Sequence, residues 1–174
     1  DVERALALVP PSAPLSGVVH TAGLLDDGLL EGQTAERFAS VMAPKVRGAW
    51  HLHSLTRGSK LEFFVLFSSM AATLGSAGQA GYAAANSFLD ALAAHRRAQG
   101  LPGSSMAWGA WAEGGMAAAL DAHLKARLSR EGIEPLARVQ GRDLFERSLE
   151  RPEAHLVLAS IDLRKVGRSV ESSI

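Results

Sequence analysis

Two runs constrain this chain more than any other feature: Phe63-Phe64-Val65-Leu66-Phe67 and His155-Leu156-Val157-Leu158-Ala159. Both are near-continuously apolar instead of alternating, the pattern of a strand buried on both faces. Such strands belong in a parallel sheet covered by helices on each side. Two shorter runs, Gly17-Val18-Val19-His20 and Ser105-Met106-Ala107-Trp108, also have strand character.

Helical patterns lie between these runs. From Thr34 to Leu55, Phe38, Val41, Met42, Ala49 and Leu52 recur at helical spacing, and Pro44 should kink or break that helix. An alanine-rich stretch from Gln79 to Gln99 ends in Arg96-Arg97 and then Gly100, which are helix stop signals. A third helix is expected from Pro135 to Leu149, with the proline in its first turn. The stretch from Trp111 to Gly132 is less regular, and the polar tail 164–174 reads as a linker. Strands alternating with helices predict an α/β layer fold with right-handed crossovers.

Composition removes several function classes. Lysine plus arginine (18) balances aspartate plus glutamate (18), so no electrostatic argument favours nucleic acid or an anionic membrane. There is no cysteine, which excludes disulfides, thiolate metal sites and cysteine nucleophiles. That fits a reducing compartment, and a cytoplasmic location is expected. No apolar run approaches the roughly 20 residues that span a bilayer. The chain starts without methionine and without a signal-like segment, so a piece of something longer is expected.

A few residues have the right type and place for chemistry. Tyr82, the only tyrosine, stands near the start of the alanine-rich helix, and Asn86, Leu89 and Ala93 continue its face. A buried asparagine is costly unless its hydrogen bonds are met. Ser68 and Ser69 close an apolar strand, and in open α/β sheets ligands bind beyond the carboxyl ends of strands. Lys45 lies on the apolar line of its helix, four residues from both Val41 and Ala49, and lysine is seldom buried without a partner. Taken singly, each has a bland reading: a backbone-satisfied Tyr and Asn, a turn serine, a lysine turned to water by Pro44. Gly75, Gly78 and Gly81 are spaced G-x-x-G-x-x-G, which is not a pyrophosphate loop. The six histidines form no metal motif, and no metal is expected.

In combination these segments resemble a known family. GVVHTAGLLDDGLL, PKVRGAWHLHSLT, FVLFSSMAATLGSAGQAGYAAANSFLDALAAHRRAQGLP and WGAWAEGGMA together are similar to the ketoreductase domain of modular polyketide synthases, within the short-chain dehydrogenase/reductase superfamily. The resemblance covers residues 1 to about 163. It implies an incomplete Rossmann-like, doubly wound parallel sheet, lacking the N-terminal strands and their glycine-rich loop. General members of the superfamily place lysine four residues after the tyrosine. Here Asn86 holds that position and the lysine is Lys45, the exchange typical of polyketide ketoreductases.

The resemblance implies roles. Tyr82 would protonate the ketone oxygen, Lys45 would bind the nicotinamide ribose and lower the tyrosine pKa, and Ser69 would polarise the carbonyl. Asn86 would hold the lysine or a relay water. Thr21, Ala22 and Gly23 would form a cofactor wall, and Trp108, Gly109, Gly114, Gly115 and Met116 would contact the carboxamide and close over the site. Leu25-Asp26-Asp27 matches the Leu-Asp-Asp signature of B-type ketoreductases. Position 74 is leucine where the opposite class has tryptophan, and Met70 joins the stereocontrol set. Position 84 is alanine where the epimerising subtype has proline. A D-configured (3R) alcohol, without epimerisation, is therefore implied.

The cofactor implied is NADPH, and the partners implied are an acyl carrier protein bearing the β-ketoacyl thioester and the other synthase domains. Neither the glycine-rich pyrophosphate turn nor the basic residue for the 2′-phosphate occurs in this sequence. An unpaired edge strand is expected where the missing half would pair. The isolated chain is accordingly expected to be inactive, and the alternative reading is an inactive structural scaffold domain.

Overall fold

The computed structural model describes residues 2–113, 126, 128–130 and 132–165. Its centre is a four-stranded, all-parallel sheet in the order β1-β2-β3-β5, where β1 is Gly17–His20, β2 Phe63–Ser69, β3 Ser104–Trp108 and β5 His155–Leu158. All four runs expected as strands pair in this sheet. A small antiparallel pair, β4 (Ile133–Glu134) with β6 (Ser160–Ile161), was not anticipated, being too short to carry a period. Among the described residues β1 and β5 are the edges of the sheet.

The helices are α1 (Val2–Ala7), α2 (Ala35–Met42), α3 (Gly48–Thr56), α4 (Met70–Leu74), α5 (Ala80–Ala98) and α6 (Arg138–Leu149). The side chains of β2 divide between the two faces of the sheet. Phe64 and Leu66 join Val18, Ala49, Leu89, Leu92 and Ala93 against α3 and α5. Val65 joins Met106, Trp108, Leu136 and Leu158, with Phe67, Leu144 and Phe145 packed alongside on the α6 side. A strand serving two cores has no polar face, which is why its sequence does not alternate.

Pro44 acts as expected, and more. Between α2 and α3 the chain makes one widened turn over Ala43–Arg47, with the Gly48 amide bonded back to the Ala43 carbonyl. Thr34 caps α2 by accepting the Arg37 amide. At the end of α5, Arg96 donates to the Pro102 carbonyl and Arg97 to the Gly103 and Pro152 carbonyls. Arg96 is fully buried, its guanidinium 3.7 Å from the Phe64 ring centroid. Helix α6 starts three residues later than expected. Pro135 stays in the connection, and the Gln140 side chain accepts the Ala137 amide to begin the helix.

Gly103 is where α5 and the entry to β3 come closest. A Cβ there would lie 2.8 Å from the Ala93 carbonyl oxygen and 2.9 Å from the Arg96 Cβ. Gly103→Ala is therefore expected to cost about 1–3 kcal/mol, because backbone has to move. Chemical denaturation with an unchanged slope would measure it, and an unchanged midpoint would refute the close approach.

Candidate active site

The carboxyl ends of β1, β2 and β3 open into one pocket. It is lined by Thr21 and Leu25 after β1, by Phe67, Ser68 and Ser69 at the end of β2, and by Trp108 and Gly109 at the end of β3. Lys45 and Tyr82 reach it from the widened turn and from α5, and Met70, Leu74 and Gln79 complete the near wall. Such a crevice beyond the strand ends is where open α/β sheets bind ligands.

Each side chain is placed by its element. Lys45 sits in the widened turn and is only 1% exposed. Its Nζ donates to the Phe67 carbonyl at 2.9 Å and lies 5.6 Å from the Tyr82 ring centroid. Widened turns of this kind recur at functional positions because they redirect one side chain out of helical register. Burial pulls the Lys45 pKa from 10.5 to about 8, against a smaller upward pull from the Asp90 carboxylate. Asp90 is itself tied to β3, accepting from Ser105 Oγ at 2.6 Å.

Ser68 and Ser69 separate into two jobs. Ser68 is buried and its Oγ donates to the Asn86 carbonyl at 3.3 Å, joining the end of β2 to α5. Ser69 Oγ accepts the Ala71 amide at 3.2 Å, capping α4 at the pocket wall. Asn86 is fully buried on the sheet-facing side of α5, in line with Leu89 and Ala93 as its spacing predicts.

Two expected contacts differ. Of the two roles expected for Asn86, holding Lys45 or a relay water, the first is not seen: its Nδ2 donates to the Tyr82 carbonyl at 2.8 Å, one turn back along its own helix. The expected depression of the Tyr82 pKa by Lys45 does not occur either. Burial pushes Tyr82 above its ordinary value, the Asp27 carboxylate adds to that, and hydrogen bonds from Ser69 and Asn86 only partly oppose it.

Of the remaining positions, Thr21, Leu25, Met70, Leu74, Trp108 and Gly109 line the pocket. Ala22 and Gly23 are exposed on the loop after β1 and do not line it. Asp26 and Asp27 turn to protein partners, Asp26 to Arg37 and Asp27 to Gln79. Gly114, Gly115 and Met116 lie outside the described residues. Arg37 and Gln79 were not singled out from the sequence, since nothing local to either marks its partner. Among the described residues no cluster of His, Asp and Glu is arranged to hold a metal, and no helix is long and apolar enough to cross a membrane.

Two buried polar atoms in this region lack a partner: Trp108 Nε1, on a residue lining the pocket, and Asn86 Oδ1, on a residue behind the lining. Orphaned buried groups are rare in folded proteins and suit a place that receives a polar ligand. Of the two, the Trp108 donor suits the nicotinamide end of a dinucleotide. The pyrophosphate end finds no counterpart: the described left-handed glycines near the pocket are Gly75 and Gly78, in the loop leading to Tyr82.

The KR domain family model matches residues 1–113. This chain belongs to the ketoreductase domain family of polyketide synthases. It is 58% identical over 155 residues to the spectinabilin polyketide synthase system protein NorB of Streptomyces orinoci, covering 88% of this chain and 7% of that protein. It is 51% identical over 161 residues to the mycoketide-CoA synthase of Mycobacterium tuberculosis, covering 92% of this chain and 4% of the synthase. The chain thus spans a small fraction of these curated relatives. A solved A-type ketoreductase from a modular polyketide synthase superposes with a TM-score of 0.88 at 40% identity, over 97% of this chain and 35% of that one. The Rossmann-like fold expected of the ketoreductase family is the fold observed.

Proposed function

We propose that this chain is the catalytic part, residues 1–163 with a linker at 164–174, of an NADPH-dependent β-ketoacyl reductase. Its substrate is a β-ketoacyl thioester on an acyl carrier protein, and its product is the D-(3R)-β-hydroxyacyl thioester. The observation that carries this reading is the meeting of Lys45, Ser69 and Tyr82 at one pocket, brought from three separate segments, with Asn86 buried one helical turn from Tyr82.

When bound, the nicotinamide supplies the hydride. The side chains of this chain manage the oxygen. Tyr82, neutral because burial raises its pKa, holds the proton that the developing alkoxide takes. Ser69 Oγ, at the pocket wall, donates to the carbonyl oxygen where negative charge grows. Lys45 is protonated at neutral pH and provides positive potential beside the Tyr82 ring. Asn86 keeps a free acceptor, Oδ1, next to the tyrosine turn. Thr21, Trp108 and Gly109 are the residues that would flank the nicotinamide, and Leu25, Met70 and Leu74 those that would set the approach of the acyl chain. The Leu25-Asp26-Asp27 signature supports the D outcome.

NADPH consumption with a β-keto thioester tests the reading, comparing this chain with one extended upstream through the glycine-rich half. Turnover in the extended protein only, with chiral analysis giving mainly the D-alcohol, is the expected result. Cofactor binding without turnover in the extended protein would instead establish a scaffold domain. Mainly L-alcohol would overturn the stereochemical part alone.

A further inference from the structure

The loop that follows β1 has no strand or helix of its own between Thr21 and Leu29, yet it is held from two sides. On one side stands Arg37, in the first turn of α2. Its Nε donates to Asp26 Oδ2 at 3.0 Å and its Nη2 to Asp26 Oδ1 at 2.5 Å, the two-point grip of a guanidinium on a carboxylate. The same guanidinium donates to the Asp27 carbonyl at 2.9 Å and the Gly32 carbonyl at 2.9 Å. It lies so close to the loop that a Cβ on Gly28 would meet both Nη atoms at 3.1 Å.

On the other side is the segment leading into Tyr82. The Gly28 amide donates to the Gly78 carbonyl at 2.8 Å, and Gln79 Nε2 donates to Asp27 Oδ2 at 2.8 Å. Leu25, next to the gripped aspartate, lines the pocket together with Met70 and Leu74. With no ladder hydrogen bonds of its own, this wall keeps its position through these contacts. Arg37 supplies three of them from outside the pocket.

We propose that Arg37 is a positioning residue for the reduction: by gripping Asp26 and the Asp27 carbonyl it fixes the Leu25 wall, and so which face of the ketone is offered for reduction. This rests on the ketoreductase reading above, and concerns a residue that touches neither substrate nor cofactor. Lysine cannot replace it, because a point charge lacks the planar fork that binds both carboxylate oxygens and the carbonyls together.

The test uses the intact synthase polypeptide that carries this sequence, a β-keto thioester and chiral chromatography of the product. Arg37→Ala and Arg37→Lys are each expected to lower the ratio of major to minor alcohol by about tenfold or more. Total turnover should change far less than the ratio, a split that mere loss of stability does not produce. The charge-swapped pair Asp26→Arg with Arg37→Asp should recover part of the ratio lost by either single change. An unaltered ratio in Arg37→Ala overturns the proposal. So does a swapped pair that behaves as the simple sum of its single variants, and this second readout holds even if Arg37→Ala folds poorly. If the unaltered enzyme itself makes mainly the L-alcohol, the B-type reading fails, while a shifted ratio in the Arg37 variants still supports the positioning role.

Discussion

Tyr82→Phe is expected to lower the turnover of ketone reduction by about 10²–10⁴-fold, the usual contribution of a positioned general acid. The change removes one oxygen from the only tyrosine of the chain, and leaves a ring that still fills the space beneath Lys45. The backbone of Tyr82 continues to accept from Asn86 Nδ2, so α5 keeps its local bonding. Stability should therefore move little, and the loss should appear in kcat with KM nearly constant. NADPH consumption by the extended protein, with thermal unfolding as a control, measures both. A variant retaining more than about a tenth of the activity would remove Tyr82 from the acid role.

Lys45→Met is expected to abolish most activity while making the protein more stable at neutral pH. The lysine is buried, and burial brings its pKa from 10.5 to about 8. That gap corresponds to about 3 kcal/mol of cost for keeping the charge inside at pH 7. The lost bond to the Phe67 carbonyl offsets part of it, leaving a net gain on the order of 1–2 kcal/mol, or a few degrees in Tm. Below pH 8 folded and unfolded chains are both protonated, and the full cost is present. Between about 8 and 10.5 only the unfolded chain holds the proton, so wild-type stability rises with pH. The advantage of Lys45→Met in Tm should accordingly shrink from pH 7 to pH 10. In the active enzyme, turnover should fall as pH rises through about 8, where the cation is lost. A variant less stable than wild type at pH 7 would show that the buried amine is held by more than its single bond.

This lysine also illustrates what can be read before folding. Its place on an apolar helical line marks it as unusual, and Pro44 marks the interruption. Neither feature says that the turn widens, nor that Nζ finds the Phe67 carbonyl 22 residues away. The direction of the Tyr82 pKa is not written locally either. Proximity of residue types suggests a cation beside a phenol, but burial decides the sign.

The four strands and the long helix α5 were legible because each is written in a short window. Unbroken apolar runs specify strands buried on two faces, and a three-to-four residue period specifies a helix face. The family motifs added the roles, since their spacing is itself local. The late start of α6, the β4–β6 pair and the Arg37 and Gln79 grips were not legible. The grips depend on partners distant in sequence: Asp26 lies 11 residues from Arg37, and Asp27 lies 52 from Gln79. By itself, then, the sequence determined which faces are apolar, which elements form and which residues carry the family motif. Only the tertiary structure decided which carbonyl holds the lysine, which way the tyrosine titrates and what pins the loop beside the pocket. Those outcomes turn on desolvation and on hydrogen-bond geometry between distant segments, and neither has a local pattern in the chain.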